Sequence, residues 1–141
     1  MKTLVATLAA VLSLGPQEPG LVSVQAGDIP WQKAEGLPAG VLVAHVTGDA
    51  KGGPAVDYIK FPAGVRVPLH WHSANHVVTV ISGRLHIGGP GSPELEKGFE
   101  VGPGGYYKIP AKTPHWTAAK DVTVIAVSGD APNDLHWVKP D

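Results

Sequence analysis

The chain contains no cysteine among its 141 residues, and this absence excludes several kinds of chemistry. Without thiols there are no disulfide bonds, no thiolate metal ligands and no cysteine nucleophile. A folded domain of this composition must therefore be stabilised by its apolar core, or by a metal ion bound to other side chains.

An excess of positive charge is also missing. The 11 basic and 12 acidic residues give a formal net charge of −1 at pH 7, and the basic residues form no stripe along the chain. Proteins that bind nucleic acid usually carry such a basic patch. The sequence therefore predicts no nucleic-acid partner.

The N-terminal apolar run, at residues 4–14, is too short for a membrane-spanning helix, which needs about 20 apolar residues. It follows the basic Lys2, is ended by Pro16, and precedes Val24 and Ala26, which suit the −3 and −1 positions of a cleavage site. We predict a signal peptide at residues 1–26 and a single domain at 27–141. The mature protein would be periplasmic or secreted, with no stable membrane association after cleavage; a buried N-terminal helix and an uncleaved anchor are the alternatives.

Helical periodicity is absent from residues 27–141, while the chain has 18 glycines and 14 prolines to punctuate short segments. Apolar and β-branched segments recur between these breaks and predict an all-β sandwich or barrel. The predicted strands cover residues 41–46, 56–61, 65–67, 77–81, 84–87, 106–109, 115–118, 122–127 and 135–138. The segment 65–67 leads directly into the histidines at 70 and 72.

Four histidines dominate the functional interpretation. A spacing of two places His70 and His72 on one face of a strand, and His76 keeps the same parity if the strand stays regular. His115 can approach from another strand, which would complete a transition-metal site. The histidines at 45, 86 and 136 have no comparable spacing, and we expect them at the surface or at strand ends.

The two histidine blocks resemble the two sequence motifs of the cupin superfamily. The matching residues are Gly64, His70, His72 and Gly83 in the first motif and Gly104, Pro110 and His115 in the second. The resemblance implies a single-domain cupin, that is, a small double-stranded β-helix or jelly-roll β-barrel. The segment at 61–64 and the tripeptide at 70–72 are similar to small exported bacterial cupins, including ChrR-type cupin domains.

Carried over residue by residue, the resemblance implies one metal ion bound by His70, His72, His76 and His115. His76 stands where cupins usually have glutamate, and Lys112 stands where they usually have glycine. Four neutral imidazoles would leave the +2 charge of a divalent ion uncompensated, which favours an anionic or enolate-like substrate. Fe or Zn is the first expectation for the metal, and Ni, Cu and Mn are further candidates.

The resemblance implies a metal-binding oxidoreductase of dioxygenase-like type, or a related lyase or isomerase, that acts on a small organic acid or a diketone-like compound. Its substrate pocket is expected to be lined by Tyr58, Phe61, Val78 and Val80, while no catalytic residue is identified. A non-catalytic module that binds or senses a small molecule or a metal is the alternative, and a metal-free structural cupin conflicts with the four motif histidines. A homodimer formed through edge strands is compatible with this fold.

The replacement His76→Glu tests the assignment of the fourth ligand. Since it restores the common family ligand, the variant should retain metal and bind hard ions more tightly, as measured by metal content and titration. Complete loss of metal from a normally folded variant would contradict a ligand role for His76.

Overall fold

The computed structural model describes residues 20–49 and 52–139. Most of the predicted signal peptide, residues 1–19, lies outside the described residues, so this segment stays a prediction. The chain divides into two units, residues 1–30 and 31–141. The described part of the first unit contains one 3₁₀ turn, Ala26–Asp28, where the predicted cleavage point falls. Within the described residues, no helix is long and apolar enough to cross a membrane.

Short β-strands build the second unit, and its described part contains one further 3₁₀ turn, at Leu95–Lys97. The strands are β1 (Gln32–Lys33), β2 (Leu42–Gly48), β3 (Gly53–Phe61), β4 (Arg66–Trp71), β5 (His76–Ser82), β6 (Leu85–Gly88), β7 (Phe99–Val101), β8 (Tyr106–Ile109), β9 (His115–Ala119), β10 (Thr123–Ala131) and β11 (His136–Trp137).

These strands form two antiparallel sheets. One sheet has the order β1-β2-β3-β10-β5-β8, and the other has the order β11-β4-β9-β6-β7. Several neighbours are distant in sequence, such as β3 with β10 and β4 with β9, as in a jelly roll, where the chain crosses repeatedly from one sheet to the other. The predicted all-β, single-domain barrel is confirmed.

The apolar core combines inward-facing residues of both sheets. Along β5, His76, Val78 and Val80 are buried while the residues between them are more exposed, which is the alternation expected of a strand with one face inside. Leu85 on β6 faces them from the other sheet with no exposed surface. Burying each such aliphatic side chain contributes roughly 1.5–3 kcal/mol.

Two strands were not predicted from the sequence. β1 has two residues and β7 has three, and each pairs with only one neighbour at or near the edge of its sheet. A segment of two or three residues is too short to show the period-two alternation on which strand prediction depends.

The turns that frame the histidine strands require positive φ angles. The motif glycines Gly64, Gly83 and Gly104 have φ of 79°, 76° and 80°. Lys112 also has a positive φ, 61°, and is alone in this among the non-glycine residues described. Its backbone N–H donates a hydrogen bond to the carbonyl of His72 at 2.8 Å. The strained turn at Lys112 is therefore bonded to the residue that follows β4.

The replacement Lys112→Gly should stabilise the protein. A left-handed conformation costs a non-glycine residue roughly 1–2 kcal/mol, and the greater freedom of glycine in the unfolded chain offsets roughly 0.5–1 kcal/mol of the gain. We expect the free energy of unfolding in urea to rise by about 0.5–1 kcal/mol. Lys112→Ala is the control, because it removes the charge but keeps the Cβ; an equal gain in this variant would contradict the explanation by backbone strain.

Candidate metal centre

Two of the four motif histidines are direct cross-strand neighbours. His70 on β4 pairs with His115 on β9, and their ring centres are 4.2 Å apart. The β4–β9 ladder is irregular between Val67 and His70, the stretch that contains Pro68. Because proline has no N–H, it cannot donate to a neighbouring strand, which leaves a gap in the ladder at this position.

The same local hydrogen bond orients both rings. The Nδ1–H of His70 donates to the carbonyl of Pro68 at 2.7 Å, and the Nδ1–H of His115 donates to the carbonyl of Thr113 at 3.0 Å. A carbonyl oxygen only accepts hydrogen bonds, so Nδ1 must carry the proton in each ring. The lone pair of each neutral imidazole then lies on Nε2.

His72 is oriented by a residue from the C-terminal segment. Its Nδ1–H donates to the carbonyl of Asp134 at 2.5 Å, which again leaves the lone pair on Nε2. One nitrogen from each of His70, His72 and His115 lies within 4.8 Å of the other two. Three neutral imidazole nitrogens this close together could hold a divalent transition metal.

Burial keeps these rings neutral. The exposed fraction is 4% for His70, 9% for His72 and 4% for His115. Burial lowers the pKa of His70 to about 3 and that of His115 to about 4, and it also lowers the pKa of His72. The nearby rings lower these pKa values further, since a second positive charge would be repelled. At neutral pH the rings therefore carry no proton that a metal would have to displace from Nε2.

His76 reaches the same cavity from the opposite sheet. It begins β5, is 3% exposed, and its ring centre lies 4.5 Å from that of His72. Within the described residues its Nδ1 has no hydrogen-bond partner, whereas each of the other three rings has a carbonyl. It is not part of the group of three whose nitrogens lie within 4.8 Å. Burial lowers the pKa of His76 to about 4, so it is neutral as well.

The parity argument for His76 is corrected by the topology. β4 ends at Trp71 and β5 starts at His76, so the chain leaves one sheet and enters the other between them. The rings meet because the two sheets face each other across the barrel, and not because they share one face of one strand. The structure thus brings all four motif histidines to one cavity, while their role as ligands remains a prediction.

The histidines line an inner cavity of about 60 Å³. Of the predicted pocket residues, Phe61 and Val78 line it, whereas Tyr58 does not and Ile59 takes its place. Adjacent strand residues point to opposite faces, so Tyr58 and Phe61 could not both face inward. Val80 is 1% exposed and belongs to the core, but it does not line this cavity.

Three polar residues of the cavity were not predicted: Tyr107, Thr117 and Asn133. Tyr107 lies directly opposite Val78 on the neighbouring strand β8, so pairing of the two strands would have been needed to find it. Burial raises the pKa of the Tyr107 phenol above its usual range, and the hydroxyl group stays protonated. None of the residues that the structure describes contributes an acidic or basic side chain, Asp, Glu, Lys or Arg, to the lining of the inner cavity.

An outer cavity of about 330 Å³ adjoins the inner one. Leu37, Ile59, His72, Asn133 and Leu135 line both. Glu35, Asp134 and Trp137 are found only in the outer cavity. The cavity that the four histidines line thus adjoins a larger space whose walls are partly apolar and partly polar.

The other three histidines lie outside the centre. His45 is exposed and its Nδ1 is 2.8 Å from Oδ1 of Asp57, as expected for a surface residue. The expectation is wrong for His86, which is 5% exposed and lies 3.4 Å from a carboxylate oxygen of Glu100. His136 begins β11 and contacts Asp134.

Comparison with protein families assigns most of the chain to one family. The model described as "Domain of unknown function (DUF4437)" matches residues 22–136. None of the curated proteins matches the chain.

Solved structures with the same fold are distant in sequence. The polyketide cyclase RemF from Streptomyces resistomycificus is 17% identical, with a TM-score of 0.69 over 86% of this chain and 87% of that chain. A candidate acetylacetone dioxygenase from Methylibium petroleiphilum PM1 is 19% identical, with a TM-score of 0.66 over 89% and 86%. An RmlC-like cupin from Shewanella frigidimarina NCIMB 400 is 14% identical, with a TM-score of 0.63 over 79% and 91%. At these identities the similarity shows the cupin fold, and the narrower resemblance to ChrR-type domains stays a prediction.

The replacement Gly129→Ala tests how His76 is held. Gly129 pairs with His76 across β10 and β5, and a Cβ there would lie 2.6 Å from Cδ2 of His76 and 2.5 Å from the carbonyl oxygen of Asn75. Such overpacking should lower the free energy of unfolding by about 1–3 kcal/mol. Gly91→Ala is the control, since no atom lies within 4 Å of a Cβ there. Equal effects of the two variants in urea unfolding would show that the ring of His76 is not confined by Gly129.

Proposed function

We propose, on the premise that the chain belongs to the DUF4437 family and has the cupin fold, that it is a metal-dependent enzyme. The proposed reaction is of dioxygenase-like type on a small organic acid or a diketone-like compound. We further propose that the enzyme acts after export to the periplasm or outside the cell, as the pattern of residues 1–26 predicts.

The observation that carries this proposal is the shared tautomer of three histidines. His70, His72 and His115 each donate Nδ1–H to a backbone carbonyl, and one nitrogen from each ring lies within 4.8 Å of the other two. Buried histidines that served packing alone would need neither the same tautomer nor nitrogens so close to one another. The donor set fits Fe or Zn first, with Ni, Cu and Mn as further candidates.

When bound, a divalent ion would supply Lewis-acid chemistry and hold an anionic ligand in a fixed orientation. The protein residues contribute the surroundings. Among the described residues, no carboxylate lines the inner cavity and could bind the ion directly; the carboxylates of Asp134 and Asp57, which favour positive charge on the rings of His72 or His76, lie outside its lining. An anionic or enolate-forming substrate therefore fits this cavity better than a neutral one.

The sizes of the two cavities limit how a substrate is placed. The inner cavity, about 60 Å³, holds an ion and a few ligating atoms. The adjoining 330 Å³ is large enough for the remaining part of a small molecule. The aliphatic side chains of Leu37, Ile59 and Leu135 form most of the wall that the two cavities share. We propose that a small acidic group enters the inner cavity while the body of the substrate stays outside.

Tyr107 provides a hydrogen-bond donor in the inner cavity. Because burial raises the pKa of its phenol, the hydroxyl group remains protonated and can donate to a substrate oxygen without losing its proton. The other polar groups, on Thr117 and Asn133, are uncharged. The nitrogen of the Asn133 side chain donates one of its two hydrogens to Asp57 at 2.9 Å, so its oxygen and its second N–H are left for a ligand.

A non-catalytic binding or sensing module is the second candidate. It is favoured by the position of His76, whose ring centre is only 4.5 Å from that of His72. If His76 moved toward the centre and became a fourth ligand, a tetrahedral ion would have no position left for substrate.

Metal content tests the proposed site. The wild-type protein, purified without a histidine tag, should contain near-stoichiometric Fe, Zn, Ni or Cu by plasma mass spectrometry. His115→Ala should lose that metal, because it removes one of three converging nitrogens. His45→Ala is the matched control, since His45 is an exposed histidine outside the cavity, and should keep the metal. Wild-type protein that stays metal-free after reconstitution would contradict the enzyme proposal.

An open coordination position distinguishes the enzyme from the binding module. Protein loaded with Fe(II) without oxygen should give a new electron paramagnetic resonance signal when nitric oxide is added, and a small β-diketone or carboxylate should perturb it. No response to either compound in fully loaded protein would favour the module with four histidine ligands.

A further inference from the structure

The C-terminal segment that follows β10 is attached to the histidine strand at several points. β11 pairs with β4 so that His136 lies opposite Trp71 and Trp137 lies opposite His70. The backbone N–H of Val138 also donates to the carbonyl of Leu69 at 3.0 Å. The segment therefore adds a final edge strand beside the residues that form the metal centre.

Asp134 is the residue through which this segment contacts His72. Its backbone carbonyl accepts the Nδ1–H of His72 at 2.5 Å, the one orienting bond of the centre that comes from a distant part of the chain. For His70 and His115 the carbonyl lies two residues earlier in the same segment. The orientation of His72 therefore depends on how firmly residue 134 is held.

The Asp134 carboxylate supplies that hold. Oδ1 accepts the backbone N–H of Ser73 at 2.8 Å, and Oδ2 accepts the Ser73 hydroxyl at 2.5 Å. Oδ2 also accepts Nε2–H of His136 at 2.9 Å. The ring of His136 stacks on Trp71 with centres 4.0 Å apart and planes 12° apart. The carboxylate thus binds the residue after His72, and its partner His136 packs on the residue before His72.

These contacts do not form a catalytic serine–histidine–aspartate arrangement. Ser73 Oγ lies 3.3 Å from Nε2 of His136, and Asp134 contacts that same nitrogen. A general base needs its second nitrogen free to take the serine proton, with the carboxylate on the other side of the ring. Here one nitrogen faces both groups, and the serine hydroxyl already donates to Asp134.

We infer that Asp134 is a positioning residue for the proposed metal centre. Its carboxylate, bound to Ser73 and His136, holds the backbone carbonyl of Asp134 against Nδ1 of His72. This contact keeps the His72 ring in the Nδ1–H tautomer. This inference rests on the proposed three-histidine site. Residues outside the ligand set that orient a ligating histidine typically change metal affinity by about 10–100-fold when they are replaced.

The test uses Asp134→Ala, which removes all three carboxylate contacts and keeps the backbone carbonyl. In the metal-free protein labelled with ¹⁵N histidine, nuclear magnetic resonance should show His72 as Nδ1–H in the wild type and as a mixture of tautomers in the variant. His70 and His115 should not change, because their carbonyl partners are local. Zn(II) affinity, measured by competition with a chelator, should fall by about 10–100-fold.

Two further variants sharpen the comparison. His136→Phe keeps an aromatic ring to stack on Trp71 but cannot donate to Asp134, and should give a smaller change of the same kind. Asp121→Ala, at an exposed aspartate away from the centre, should change neither readout. If Asp134→Ala does not fold, Ser73→Ala removes the hydroxyl contact alone and should shift the tautomer of His72 in the same direction.

Unchanged His72 tautomer and unchanged Zn(II) affinity in a folded Asp134→Ala variant would overturn the inference. Equal disturbance of all three rings would also overturn it, because it would show a general loss of structure. Failure of the wild type to bind any metal would contradict the proposed function, while the tautomer measurement in metal-free protein would still decide the role of Asp134.

Discussion

The hydrogen bond from a histidine Nδ1–H to a backbone carbonyl is the interaction on which the candidate site depends. It occurs at His70, His72 and His115, and in each case it leaves Nε2 as the only nitrogen with a lone pair. Two of these bonds are local, and the cross-strand pairing of His70 with His115 brings them together. Burial then keeps the rings neutral, so the three nitrogens can bind a metal without first losing protons.

Much of the site could be predicted from the sequence because its histidines stand in two spaced motifs. The spacing of two places His70 and His72 together by strand geometry, whereas the full set with His76 and His115 follows from the resemblance to the two cupin motifs. The orienting groups were harder to find. Asp134 lies 62 residues from His72 in the sequence. Its contact with His72 is made by a backbone carbonyl, which every residue has, so no residue type in the sequence marks it. His76 was placed in the right cavity by a wrong argument, since it enters from the opposite sheet.

The fold was predictable where strands are long and β-branched, as in β5 and β10. The short strands β1 and β7 were missed because two or three residues show no period, and their pairing is set by neighbours instead. The pocket was only partly predicted for a related reason. To place Tyr58, one must know which alternate residues of β3 point into the barrel. The burial of Phe61 shows this in the folded structure, and Tyr58 then lies on the opposite face of the strand.

The most direct test of a three-histidine metal centre is anomalous diffraction at the zinc absorption edge from crystals of the zinc-loaded protein. The account predicts a single strong peak inside the barrel, within bonding distance of Nε2 of His70, His72 and His115. A peak bound to other side chains, or none inside the barrel at full zinc loading, would contradict it.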